Sequence, residues 1–137
     1  MREKQFMGTN KEVAENWIDY AETDLEAAKI LFAKGEFFFH VAMFHAHEAA
    51  EKSIKAILII EEIKFPKTHD LDQLLSLLEE QKTIDANLYT LISPLQEFTV
   101  EVRYPNDDIL ITDRDIQHAI NSSSEILALA KKKINSK

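Results

Sequence analysis

The sequence contains no cysteine, two glycines, three prolines and one tryptophan among its 137 residues. Each scarcity excludes something. Without cysteine there is no disulfide, no thiolate metal site and no cysteine nucleophile, and a reducing compartment fits. Glycine and proline supply the special backbone angles of turns, so their rarity argues against a β-rich or loop-rich chain. Apolar runs such as Ala56 to Ile60 are far too short to span a bilayer, and no membrane association is expected. The first residues lack the apolar core of a secretory signal, since Asn10, Lys11 and Glu12 interrupt early, so a cytoplasmic location is expected. There is no glycine-rich phosphate loop and no nucleophile elbow, and aromatics are not interleaved with basic residues as in base-stacking folds.

Positive charge is also in short supply. Sixteen Lys and Arg face 24 Asp and Glu, a formal net charge of −8. Such a field repels phosphate, which excludes general DNA or RNA coating but leaves room for a local basic site. What is abundant is Ala, Leu, Ile, Glu and Lys, the good helix formers. The length suits one domain, large enough to form a core without staples. Residues 1–9 read as a flexible tail and 10–137 as one all-α domain, an up-and-down antiparallel bundle of about five helices.

The first helix is predicted from Asn10 to Lys34, opened by Thr9 and Glu12 at capping-box spacing and stopped by Gly35. Val13, Trp17, Ala21, Ala28 and Leu31 form its apolar stripe, and Asp24 falls inside that stripe. A carboxylate there either reaches solvent at the stripe's edge or needs a partner. The second helix is predicted over about 37–62. Its face of small residues, Ala42, Ala46, Ala49, Ser53 and Ala56, lets a neighbour approach closely, which makes it the central helix. Its polar arc carries His40, Glu48, Glu51, Lys52 and Lys55. Because apolar residues intrude even there, a second subunit is expected to cover it. Asp70 reads as the cap of a third helix to Glu80, a fourth covers about 85–103 around Pro94, and Thr112 with Asp115 opens the last. Lys131, Lys132 and Lys133 suit the final helix's C-terminus and read as a solvated end.

Two segments carry chemistry. In His45-Ala46-His47-Glu48-Ala49-Ala50-Glu51, Glu51 stands where the zincin helix has its second histidine. His47 and Glu51 share a face, but no third ligand can be named, so no metal and no cofactor is expected. Glu48 with Lys52 and Glu51 with Lys55 are i,i+4 pairs, read either as ordinary surface ion pairs or as a charged patch on a buried helix. In the second segment Arg103 ends an apolar helix and Tyr104-Pro105 fixes the chain's exit. Its guanidinium either forks onto a phosphate or pairs structurally, with Asp24 or Glu48 as partner.

Asp24-Leu25-Glu26-Ala27-Ala28 followed by Phe44 to Ala56 resembles the first two helices of HEPN domains. Lys67-Thr68-His69-Asp70-Leu71 resembles the family's loop into helix three, and Arg103-Tyr104-Pro105 its late arginine motif. The resemblance implies a dimerising bundle with a polar cleft at the dimer interface. Many HEPN proteins are paired with a minimal nucleotidyltransferase in two-gene toxin–antitoxin modules. Active members are metal-independent ribonucleases whose signature is an arginine followed, after four to six residues, by a histidine. Arg103 matches the arginine, while Asp108, Ile109 and Leu110 occupy the histidine positions. Where the family often carries glutamines, this helix has His47 and Glu48. The implied function is therefore a homodimeric nucleotide- or RNA-phosphate-binding component. Its cleft would be formed by Asp24, His47, Glu48, Glu51, Lys52, Lys55, Arg103 and Tyr104. The alternative is a ribonuclease using Arg103 with His69 or His45.

Overall fold

A computed structural model describes residues 8–81, 85–98 and 110–137, and in these it contains five α-helices and no strand. They are α1 (Asn10–Lys34), α2 (Phe39–Ile60), α3 (Leu71–Glu80), α4 (Asn87–Gln96) and α5 (Asp113–Asn135), with a 3-10 turn over Glu36–Phe38. The fold is the expected all-α helical bundle. No described helix is long and apolar enough to cross a membrane.

Local chemistry sets the helix ends. Thr9 and Glu12 form a reciprocal capping box on α1, and Thr112 and Asp115 form the same device on α5. Asp70 accepts the amides of Asp72 and Gln73 to open α3. Gly35 ends α1 with φ 112°, a backbone angle open to glycine at little cost. The turn that follows is short, so α1 and α2 run antiparallel.

α2 is central and packs on α1, α3, α4 and α5. Ala42, Ala46, Ala49, Ser53 and Ala56 are fully buried. Their small side chains let α5 come close enough for Ser123 Oγ to donate to the Ala46 carbonyl at 2.5 Å. Of α2's residues only His40 and Phe44 are exposed. The single chain thus covers most of α2, while His40, Glu48 and Lys52 of its polar arc keep some exposure. The α1 stripe also differs from expectation. Its buried line is Ala14, Ile18, Ala21, Leu25 and Ala28, while Val13, Trp17 and Leu31 flank it half-buried. The buried face is broad because both α2 and α5 pack against α1. α4 continues through Pro94 to Gln96, and the expected continuation to Arg103 lies outside the described residues.

Candidate functional site

The polar residues of α2 converge with groups from α1 and from the loop before α3. Asp24, on the buried line of α1, is only 8% exposed. Its Oδ1 lies 2.8 Å from His45 Nδ1, and its Oδ2 accepts from Lys52 Nζ at 2.5 Å. Asp24 therefore has a cation, and that cation is Lys52. Lys52 also stands 3.7 Å from Glu48 Oε1.

The second group centres on Glu51, whose side chain is 3% exposed. Lys55 Nζ donates to its Oε2 at 2.8 Å, and His69 Nδ1 approaches Oε2 at 2.9 Å and Oε1 at 3.1 Å. Lys55 is itself buried, with its ammonium 5.6 Å from the Trp17 ring centre and 5.9 Å from that of Phe65. Cation–π contact on both rings helps offset the desolvation of that ammonium. The Glu51–Lys55 pair is thus a buried structural element rather than a solvated surface pair. His69, by contrast, presents an exposed ring.

The charges act on one another. Burial pushes the Glu48 carboxyl above its ordinary value. Glu51 and Asp24 push the same way, against Lys52 and His69. At Lys52 burial works against the ammonium, but the hydrogen bond and charge of Asp24, aided by Glu48 and Glu51, win, and its pKa is raised.

His47, Glu48 and Glu51 offer ligand atoms within 4.8 Å of one another, so the third donor that the sequence left unnamed is Glu48. The surroundings do not call for an ion. Glu51 is already engaged by Lys55 and His69, and Lys52 faces Glu48. A metal would have to displace ammonium groups already neutralising these carboxylates.

Beside α1 lies a cavity of about 970 Å³, lined by Trp17, Tyr20, Glu12, Glu15, Asp19 and Lys52 among others. Its charged lining is three carboxylates and one ammonium, that of Lys52.

Of the expected cleft residues, Asp24, His47, Glu48, Glu51, Lys52 and Lys55 come together, and His45 and His69 join them. Arg103 and Tyr104 lie outside the described residues. Sequence reasoning missed the clamp on Lys55: Trp17 read as one more core residue and Phe65 as loop. Neither carries a local signal, because the contact exists only once α1, α2 and the loop are packed.

Comparison with known proteins identifies the family. A HEPN domain profile matches residues 14–134. Putative toxin MJ1304 of Methanocaldococcus jannaschii is 32% identical over 104 residues, which cover 72% of this chain and 67% of that protein. The crystal structure of an archaeal HEPN homologue aligns with a TM-score of 0.68 at 26% identity, covering 88% of this chain and 97% of the homologue. With the profile running from α1 into α5 and the fold shared with a solved homologue, the chain belongs to the HEPN domain family.

Proposed function

We propose that this protein is the toxin-type HEPN component of a two-gene module whose other product is a minimal nucleotidyltransferase. In this reading it acts as a homodimer that binds nucleotide or RNA phosphate at its polar cleft, with residues 10–137 forming the one functional domain. The observation that carries the reading is the convergence of Asp24, Glu48, Glu51, Lys52 and Lys55 on one side of α2. Similarity to a protein named as a toxin supports the module. Lys55 is buried and structural, so phosphate contact is assigned to Lys52, which would exchange a carboxylate partner for the ligand, and to Arg103. Exposed Tyr20, Ile30 and Phe37 give the chain apolar surface for a second subunit.

A specific observation favours a second reading, that of a metal-independent ribonuclease. His69 is exposed while its Nδ1 is held by a buried carboxylate, the arrangement that orients an imidazole for proton transfer.

One experiment separates the two. Purified protein is incubated with single-stranded RNA in excess EDTA, alongside Arg103→Ala and His69→Ala. The binding reading expects intact RNA and nucleotide affinity lost in Arg103→Ala. Cleavage abolished by His69→Ala would replace it with the ribonuclease reading. Light scattering showing a monomer at micromolar concentration would remove the dimer from either.

A further inference from the structure

Lys55 and His47 of α2 and His69 of the loop before α3 surround the Glu51 carboxylate, with His47 Nδ1 the most distant at 3.9 Å. Glu51 lies on the buried side of α2, and both of its oxygens face His69 Nδ1 at 3.1 and 2.9 Å. A carboxylate only accepts hydrogen bonds, so the proton of this contact sits on Nδ1. Which ring nitrogen of a neutral histidine carries the proton is set by the partner of the other, so Nε2 is left as the acceptor. The ring projects outward: the His69 side chain is 66% exposed against 3% for Glu51.

Glu51 has little freedom to turn away. Lys55 holds Oε2 at 2.8 Å, and Trp17 and Phe65 flank the ammonium. The backbone beside His69 is pinned too. Thr68 Oγ1 donates to Gln73 Oε1 at 2.8 Å and accepts from the Asp70 amide at 3.1 Å, while Asp70 caps α3. Glu51 and Glu48 of α2 act on the imidazole, Lys55 and His47 stand on the same Glu51 carboxylate, and Lys67 and Asp70 are its neighbours in sequence.

We propose that Glu51 and Lys55 are positioning residues that hold the His69 imidazole as its Nδ1–H tautomer and leave Nε2 open to take a proton from a bound hydroxyl. The functional half of this rests on the ribonuclease reading, whereas the tautomer does not. In the step itself the hydroxyl oxygen keeps the electron pair of the broken O–H bond and the proton goes to Nε2. The resulting imidazolium is stabilised by the Glu51 carboxylate, which Lys55 holds in place.

The test is long-range proton–nitrogen NMR of the ¹⁵N-labelled full chain at a pH where His69 is neutral. Wild-type protein should show His69 predominantly as Nδ1–H. Glu51→Gln removes a hydrogen bond to a charged group and should shift the tautomer ratio toward Nε2–H by about tenfold or more. Lys55→Met keeps an apolar stem between Trp17 and Phe65 and should shift it in the same direction. Should that single variant fail to fold, the double variant Lys55→Met/Glu51→Gln, which buries no unpaired charge, should fold and show the Glu51→Gln ratio. A wild-type ring that is mainly Nε2–H, or an unchanged ratio in folded Glu51→Gln, would overturn the proposal. A fixed Nδ1–H tautomer with RNA left intact would support the positioning pair while ending the ribonuclease reading. Cleavage that needs His69 yet runs at full rate in Glu51→Gln would do the reverse.

Discussion

Asp24 of α1 and Lys52 of α2, 28 residues apart in sequence, meet at 2.5 Å. The pair turns the one carboxylate on α1's buried face into a tie between the two longest-packed helices, with His45 completing the carboxylate's contacts at 2.8 Å. Lys52 retains a route to solvent, its side chain being 26% exposed, so losing Asp24 leaves it desolvated only in part. Asp24→Ala should therefore destabilise the fold by about 1–3 kcal/mol, below the loss expected of a fully buried pair. Denaturant titration measures this, and a change within experimental error would mean the tie contributes nothing.

Glu48 sets a pH dependence of definite sign. Its folded pKa is raised, by burial first, above the unfolded value. The folded state therefore holds this proton more tightly than the unfolded one. The group favours folding at pH below its unfolded pKa, and that contribution is lost as pH rises through the folded pKa. Near neutrality the ionised carboxylate is a liability that Glu48→Gln removes. The gain should stay under about 1 kcal/mol, because solvent and Lys52 screen a half-buried group. It should shrink to nothing as the solution is acidified below the carboxylate range. Melting curves of both proteins at neutral and acid pH decide the matter, and a gain that grows on acidification would contradict it.

The histidines of α2 should not bind zinc tightly. Glu51 is shared by Lys55 and His69, so a metal at His47, Glu48 and Glu51 would compete with groups already in place. Protein equilibrated with zinc and then dialysed should retain far less than one equivalent. Stoichiometric zinc that is lost in His47→Ala would show the opposite.

The close approach of α2 and α5 can be probed at Ser123, which is fully buried and donates to the Ala46 carbonyl. Ser123→Ala should lose about 1 kcal/mol, the net worth of an ordinary buried hydrogen bond. Ser123→Leu adds volume against the alanine face and should cost about 1–3 kcal/mol or more. If leucine proved no worse than alanine, the helices would not be as tightly apposed as the contact implies.

Helix ends were legible in the sequence because their signals are local. Thr9 with Glu12, Asp70 and Thr112 with Asp115 each cap within a few residues, and α1 and α3 begin and end where those signals place them. The small-residue face likewise identified α2 as central. The site was legible only as a set of names. Its residues do converge, but their pairing depends on contacts between elements. Nothing local to Asp24 points to Lys52 or His45, and nothing near Lys55 points to Trp17 and Phe65. Burial of α2 has the same limit: periodicity measures how apolar a helix is, not how many neighbours its own chain supplies.

The Ser123–Ala46 contact joins residues 77 apart in sequence, whereas Lys52–Asp24 and His69–Glu51 span 28 and 18. Closing the longer loop costs more chain entropy, so short-range contacts tend to form first. The hypothesis that follows concerns the order of assembly: the α1–α2 hairpin and its polar cluster form as an early unit, and α5 docks last as a clasp. Native-state amide exchange should then find α5 opening at lower free energy than α1 and α2, and equal protection in all three would refute it. On this view the polar cluster is assembled by the part of the chain that folds first, and a lesion in α5 would reduce the lifetime of the native state before it altered the arrangement around Glu51.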